Sequence, residues 1–417
     1  MTLTGLSNIL TTPQDSSEYA RLRQHALVCL SHLRWDLVFQ RPQHLITRSA
    51  RRMPVYFVEE PAFEGTEPPY MAQHRIGPNL TVLVPHVPAG FTLADAASAQ
   101  KRLLTEYLRD AGVGTPVLWF YTPAALAFAD ALPAAITVYD RMDELSAFAG
   151  ASPELCRLEA ELLRRADLVF TGGMSLYEAK RGLHDNVHAF PSAVDVAHFA
   201  QARRDLADPL DQAGIGRPRL GFFGVIDERL DRELLSAVAR LRPDWQLILV
   251  GPVVKIDPST LPEVANIHYL GRKTYEELPA YVAGWDAAIM PFARNEATRF
   301  ISPTKTPEYL AAGKPVISTP IVDVVRGWGH LDAVRIAEDP VRFVTEAEIA
   351  LSLPADRPGW LAAVDRDLEQ VSWDRTWERM AGLIETALGD GEVAVPPCPA
   401  PRASDVSSQY VTGEAHV

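Results

Sequence analysis

From Met290 to Thr319 the chain reads M-P-F-A-R-N-E-A-T-R-F-I-S-P-T-K-T-P-E-Y-L-A-A-G-K-P-V-I-S-T. A short apolar run, Ala287–Pro291, precedes a polar loop; a helical stretch, Thr304–Ala312, follows, and a second apolar run, Pro315–Ser318, closes the unit. That is strand, helix, strand, the repeating unit of a doubly wound parallel sheet. Ser302 followed by Pro303 predicts the helix start, a capping hydroxyl and then proline at the first helical position. The free amides of Thr304 and Lys305 would then point out of the helix, with the Lys305 charge beside them, and form a phosphate cradle that needs no metal. Glu308, one turn further in, could accept two hydrogen bonds from the vicinal hydroxyls of a ribose. The same residues also read as a plain helix start, with a solvated lysine and a glutamate favoured by the helix dipole.

The rhythm extends in both directions. Upstream lie the apolar runs Ala26–Ser31, Val55–Glu59, Thr81–Val84, Val117–Tyr121, Ile136–Tyr139, Leu168–Thr171 and Val187–Phe190, with helical patterns at Ala94–Asp110, Pro153–Arg165 and Ser175–Leu183. Residues 195–218 are polar and rich in breakers, which predicts a domain boundary. The rhythm restarts with Leu220–Gly224, Gln246–Val250, Ile267–Leu270, the two runs already named and Val334–Ala337, joined by helices Arg232–Leu241, Tyr275–Trp285 and Val341–Leu353. Continuous apolar strands alternating with helices mark sheets buried on both faces. The expected organisation is a flexible arm (1–20), one doubly wound α/β domain (21–205), a second (206–370), a helix (371–389) capped by Ser372 with Trp373, Trp377 and Met380 on one face, and a disordered tail (390–417).

Composition narrows the function classes. The 417 residues carry 40 Lys and Arg against 53 Asp and Glu, a net charge of −13, which disfavours general nucleic-acid binding. Cys29, Cys156 and Cys398 have no CxxC spacing, so neither a disulfide framework nor a cysteine-rich zinc site is expected, in keeping with a reducing cytosol. His32 and His44 lack HExxH spacing, so no metal site is predicted. No secretory signal is visible in the first twenty residues, and Pro116 and Pro123 break the longest uncharged stretch, 111–129.

Ligands of open α/β sheets bind beyond the carboxyl ends of the strands. Three further loops occupy such places. Gly221-Phe-Phe-Gly224-Val-Ile-Asp227-Glu-Arg229 would let the backbone approach a phosphate at Gly224, with Arg229 supplying charge, or is an ordinary strand–helix turn. Asp140 and Asp143, just past a strand, are candidate general bases for a sugar hydroxyl, Asp140 being favoured; capping the next turn is the other reading. The loop His32-Leu-Arg34-Trp35-Asp36, followed by Gln40-Arg41, belongs to a segment, 21–52, with seven arginines and one acid. It suits an anionic ligand on the acceptor or phosphate side, contact with anionic headgroups, or a solvated helix face.

The segments S-H-L-R-W-D-L-V-F-Q-R-P-Q-H-L, V-Y-D-R-M-D-E, A-D-L-V-F-T-G-G, G-F-F-G-V-I-D-E-R-L-D and S-P-T-K-T-P-E-Y-L-A-A-G-K-P-V resemble bacterial glycosyltransferases of the GT-B type, over roughly residues 25–385. More narrowly the likeness is to the family-4-like, group 1 enzymes of surface-polysaccharide synthesis, teichuronic-acid type included. It implies two Rossmann-like domains facing a cleft, a C-terminal helix crossing back to the first domain, donor on the second domain and acceptor on the first. It also implies that Glu308 binds ribose, that the loop after Gly224 meets the diphosphate, that Gly271-Arg272 meets the nucleobase, and that no cofactor or metal is needed. Two features depart from the family pattern. Phe300 stands eight positions before Glu308, where many relatives carry a second glutamate, and Arg229 or Arg232 must replace the usual diphosphate-loop lysine.

The expected activity is therefore hexose transfer from a nucleoside diphosphate sugar, UDP-linked, to a glycan or polyprenyl-linked acceptor. The enzyme would be cytoplasmic or peripheral at the inner membrane face, and both stereochemical outcomes stay open. An epimerase or phosphorylase on the same scaffold, and a catalytically silent sugar-nucleotide binder, are the alternatives. The absence of GxGxxG after any strand argues against a dehydrogenase.

Overall fold

The computed structural model describes residues 19–147, 152–353 and 358–389. The first sheet contains β1 (Leu27–Leu30), β2 (Val55–Val58), β3 (Ala62–Phe63), β4 (Tyr70–Gly77), β5 (Leu80–Val87), β6 (Val117–Phe120), β7 (Ile136–Arg141), β8 (Leu168–Thr171) and β9 (Val187–Ala189). Their order is β3-β5-β2-β1-β6-β7-β8-β9, all parallel, with β4 pairing antiparallel along β5. The second sheet, β10 (Arg219–Phe223), β11 (Gln246–Val250), β12 (Ile267–Gly271), β13 (Ala287–Met290), β14 (Val316–Ser318) and β15 (Val334–Ile336), is parallel in the order β12-β11-β10-β13-β14-β15. Every expected apolar run is a strand; of the two strands that lack that pattern, β4 forms a hairpin with β5 and the two-residue β3 pairs parallel with the end of β5 at the sheet edge.

Alternation along each strand builds two cores in the first domain. Leu27, Cys29, Val117, Trp119, Val138 and Phe170 face one side, and Val28, Leu30, Leu118, Phe120, Tyr139 and Val169 the other. Helices Leu93–Asp110 and Pro153–Arg165 cover the second side. The C-terminal helix, Trp373–Ala387, covers the first with Trp373, Trp377, Met380, Ala381 and Ile384, spaced i, i+4, i+7, i+8 and i+11. Ser372 caps it by accepting from the Arg375 amide at 3.2 Å, and Glu385 accepts from the amides of Arg21 and Leu22 at 3.0 and 2.8 Å. The chain thus returns from the second domain to complete the first.

Three expectations are corrected here. Residues 195–218 are more than a spacer, because Phe199 and Ala202 are buried in the second-domain core, so that packing begins before position 206. Residues 1–18 and 390–417, with Cys398, lie outside the described residues. Tyr19, assigned to the arm, is anchored: its hydroxyl donates to the Glu378 carbonyl at 3.1 Å, and the Arg52 guanidinium sits 4.5 Å from its ring centre.

The third concerns the basic segment 21–52, whose seven arginines are each buried or half-buried. Arg34 pairs with Glu59, Arg41 with Asp140, and Arg48 and Arg51 both with Asp374. The acids that pair with these four arginines come from residues 59, 140 and 374, so local counting could not see them, and the local excess of positive charge is smaller in the fold than in the sequence. Among the described residues no helix is long and apolar enough to cross a membrane.

Candidate active site

In both sheets the strand order reverses beside the first strand of the domain, β1 against β6 and β10 against β13, and the carboxyl ends at these switch points face a common cleft. Two adjoining cavities form one groove there, sharing Val38, Phe39, Phe223, Gly224, Tyr275 and Leu278.

The second-domain wall begins at Gly224, where β10 ends. Its φ of +145° lies where side chains are strained, and an added Cβ would stand 2.1 Å from Lys305 Cε. The Lys305 side chain therefore lies directly over the backbone of this glycine. Arg229 is held by Asp227, its Nε 3.0 Å from Oδ1 and its Nη2 2.6 Å from Oδ2, and lines the same cavity. Arg232, the other candidate replacement for the missing lysine, turns to the Thr260 hydroxyl and lines neither cavity.

The helix below runs Lys305–Ala311 and starts later than the Ser302–Pro303 pair predicts: Thr304 is the N-cap, in helical geometry and without a side-chain cap bond. Ser302 is engaged instead by the first domain, its carbonyl accepting from the Ser192 hydroxyl at 2.5 Å. The amides of Thr304 and Lys305 still precede any intrahelical acceptor, and both residues line the groove. Glu308 follows in the same cavity, 5% exposed. Burial pushes its carboxyl up to about 7, and the Lys305 ammonium and a Thr304 hydrogen bond oppose that rise. Burial in turn pushes the Lys305 ammonium down, Glu308 opposing.

The first domain contributes Asp143, Met142, Gly172 and Ser192. Burial pushes the Asp143 carboxyl above its ordinary range, while the Arg229, Arg41 and Lys305 charges act against it. Asp143 thus faces the cations of the opposite domain. Asp140 does not. It is fully buried, its two oxygens taken by Arg41 Nε at 3.1 Å and Nη2 at 2.8 Å, while Arg41 Nη1 donates to the Phe190 carbonyl at 2.7 Å. A carboxylate locked in that grip cannot reach a substrate proton, so the favoured base of the sequence reading is a structural ion pair. Removing one partner of a buried pair costs about 3–5 kcal/mol. Asp140→Ala is therefore expected to lose about that much in urea unfolding, and an unchanged midpoint would contradict this assignment.

The remaining candidates fall at the rim or in the core. Arg272 and Trp35 line the second cavity, and Arg272 donates to the Asp36 carbonyl across the cleft. Trp35 is 2% exposed and packs edge-on against Phe57 at 5.0 Å. Arg34 is fixed by Glu59 Oε2 at 2.8 Å, and His32, pushed down to about 4 by burial, lies on neither cavity wall. Glu296, the carboxylate nearest to the position of Phe300, is exposed and pairs with Arg299 at 3.4 Å, so it does not replace the missing glutamate in the cleft.

Two features escaped the sequence reading. Tyr275 lines both cavities, stacked on His198 at 4.0 Å and Phe39 at 4.6 Å. Asp227 aims Arg229. An aromatic with no periodic neighbours and an acid two residues from its arginine carry no spacing signal.

Comparison with known proteins bears on the family and the fold. Residues 217–351 match the family described as glycosyl transferases group 1. Over 168 residues, 39% of the chain, it is 29% identical to TuaH of Bacillus subtilis (strain 168), named as a teichuronic acid biosynthesis glycosyltransferase, and the match spans 42% of that relative's length. Among solved structures it is similar to sucrose-phosphate synthase (tll1590) from Thermosynechococcus elongatus, with a TM-score of 0.67 at 14% identity over 87% of this chain and 98% of that one. It is also similar to an E. coli chain described as trehalose-6-phosphate bound with UDP-2-fluoro glucose, with a TM-score of 0.60 at 12% identity over 87% and 99%. Identities this low show the GT-B fold alone.

Proposed function

We propose that this chain, a GT-B protein whose residues 217–351 belong to the group 1 glycosyl transferases, moves a hexose from a nucleoside diphosphate sugar, UDP-linked, to a glycan or polyprenyl-linked acceptor of a cell-surface polysaccharide. One observation carries the reading: Arg229, Lys305 and Glu308 of the second domain converge with Asp143 of the first on a single cavity.

In this reading the diphosphate lies over Gly224 between Arg229, Lys305 and the first-turn amides, and Glu308 accepts from the ribose hydroxyls. Arg272 and the Tyr275–Phe39 stack flank the base along the second cavity. The cations take up the charge that develops on the leaving diphosphate, so catalysis proceeds in EDTA. Asp143 accepts the proton of the attacking acceptor hydroxyl. The relative's name supports the polysaccharide context, and the second reading, a silent sugar-nucleotide binder, draws on Phe300 standing where many relatives have glutamate.

Product analysis tests the proposal. Incubated in EDTA with UDP-, GDP- and ADP-hexoses, the protein should release the nucleoside diphosphate from one donor, faster when an acceptor glycan is added. Donor interconversion without release would identify an epimerase, and release that requires free phosphate a phosphorylase. Tight nucleotide binding without turnover of any donor would favour the silent binder.

A further inference from the structure

We propose that Asp323 is a positioning residue for this reaction, locking the donor loop of the second domain against the first along a seam centred on Gly173. The inference rests on the donor-site reading above and extends it to what sets the distance between the two walls.

The seam is built from both domains. Asp323 Oδ1 accepts from the Ser175 amide at 3.0 Å. One helical turn further, Arg326 Nη1 meets Glu178 Oε2 at 2.6 Å. On the other side of Gly173, the Ser192 hydroxyl holds the Ser302 carbonyl at 2.5 Å. Gly173 is the point of closest approach: an added Cβ would stand 2.2 Å from Asp323 Oδ2 and 2.8 Å from Ser302 Cβ. Its φ of −162° and ψ of 166° are ordinary extended values that alanine adopts freely. A side chain there offends only the opposite domain.

Magnitudes single out Asp323 among these contacts. The Arg326 and Glu178 side chains are both half exposed, so their pair contributes little. Asp323 is 9% exposed, and its bond replaces water around a buried charge, which makes it the stronger and more directional contact. The seam ends at Ser302, three residues before Lys305 and six before Glu308, and Ser302, Gly172 and Ser192 line the cavity with Asp143. Whatever fixes the seam therefore fixes the gap between the proposed base and the donor's cations. Transfer needs reacting atoms about 3–3.5 Å apart, and a misplacement of about 1 Å costs on the order of 10²-fold.

The test uses Asp323→Ala and Gly173→Ala, which attack the seam from opposite domains, with their double variant and Asp323→Asn. Transfer kcat/KM is expected to fall about 10- to 100-fold in each single variant, while diphosphate affinity, supplied by the second domain, moves by less than about 3-fold. The double variant should be no worse than the poorer single, because both open the same seam. Asp323→Asn should recover most of the loss, since its amide oxygen also accepts from Ser175. Small-angle scattering of ligand-free Gly173→Ala should show a larger radius of gyration than wild type. Wild-type transfer in either alanine variant, additive losses, a matching loss of diphosphate affinity or unchanged scattering would each overturn the inference. A wild-type protein that bound no nucleotide would instead overturn the donor site, and the scattering result would still decide the seam.

Discussion

Asp143→Asn is expected to lower transfer by about 10²- to 10⁴-fold, the usual yield of a positioned base, while the Kd for the nucleoside diphosphate stays within about 3-fold. The asymmetry follows from placement. Asp143 comes from the first domain and faces Arg229 and Lys305, which belong to the donor wall. The amide keeps the shape and loses both the proton acceptor and a negative charge near the diphosphate, so ground-state binding should be unchanged or slightly tighter. Burial raises the Asp143 pKa, so the acidic limb of kcat/KM should fall above pH 3.8, with activity lost as pH drops through it. Base-assisted attack inverts the anomeric centre, which NMR of the product reads directly. Full activity in Asp143→Asn, or a collapse of nucleotide affinity, would remove Asp143 from the base role.

Glu308 yields the second large effect. With its carboxyl at about 7, it is mostly protonated at pH 6, and only the ionised form can accept from both ribose hydroxyls. Donor affinity should therefore fall about tenfold per pH unit below 7 and level off above it. Binding near pH 6.5 should release a proton, seen as a calorimetric enthalpy that changes with the buffer's ionisation heat. Glu308→Gln should bind more weakly and without this pH dependence.

Stability gives an independent reading with a definite sign. Between pH 4.5 and 7 the folded state holds a proton that the unfolded state has lost, so the Glu308 contribution to stability declines as pH rises through this window. The full cost of the buried charge, about 3 kcal/mol at most, is present above pH 7. Ligand-free Glu308→Gln should accordingly melt above wild type at pH 8 and close to it at pH 5. A wild-type affinity that is flat from pH 6 to 8 would contradict the ribose role.

The sequence was informative where burial is two-sided and local. Strands such as Leu27–Leu30 and Leu247–Val250 are apolar at every position because helices cover both faces, so they stand out without an alignment. Gly224, Arg229, Lys305 and Glu308 were legible because topology places strand ends at the cleft. Pairings across long sequence separations were not. Nothing near Asp140 announces that Arg41, 99 positions away, will bury it, while Asp143 remains in the cleft. The helix predicted at Ser302 starts at Lys305, with Ser302 drawn into a contact with Ser192, 110 positions distant. Arg41, Arg48 and Arg51 looked like a surface because their acids lie elsewhere in the chain. In each case local propensity or charge was overridden by a tertiary partner.

The central claim is that the second-domain wall is a metal-independent nucleoside diphosphate site. Calorimetric titration of the wild-type protein and Glu308→Ala with UDP, GDP and ADP, all in EDTA, tests it most directly. The account predicts saturable binding of one nucleotide, UDP, weakened about 10- to 150-fold by the substitution, the loss of about 1.5–3 kcal/mol of charge-assisted hydrogen bonding. Binding of none of the three, or equal binding by wild type and Glu308→Ala, would contradict it.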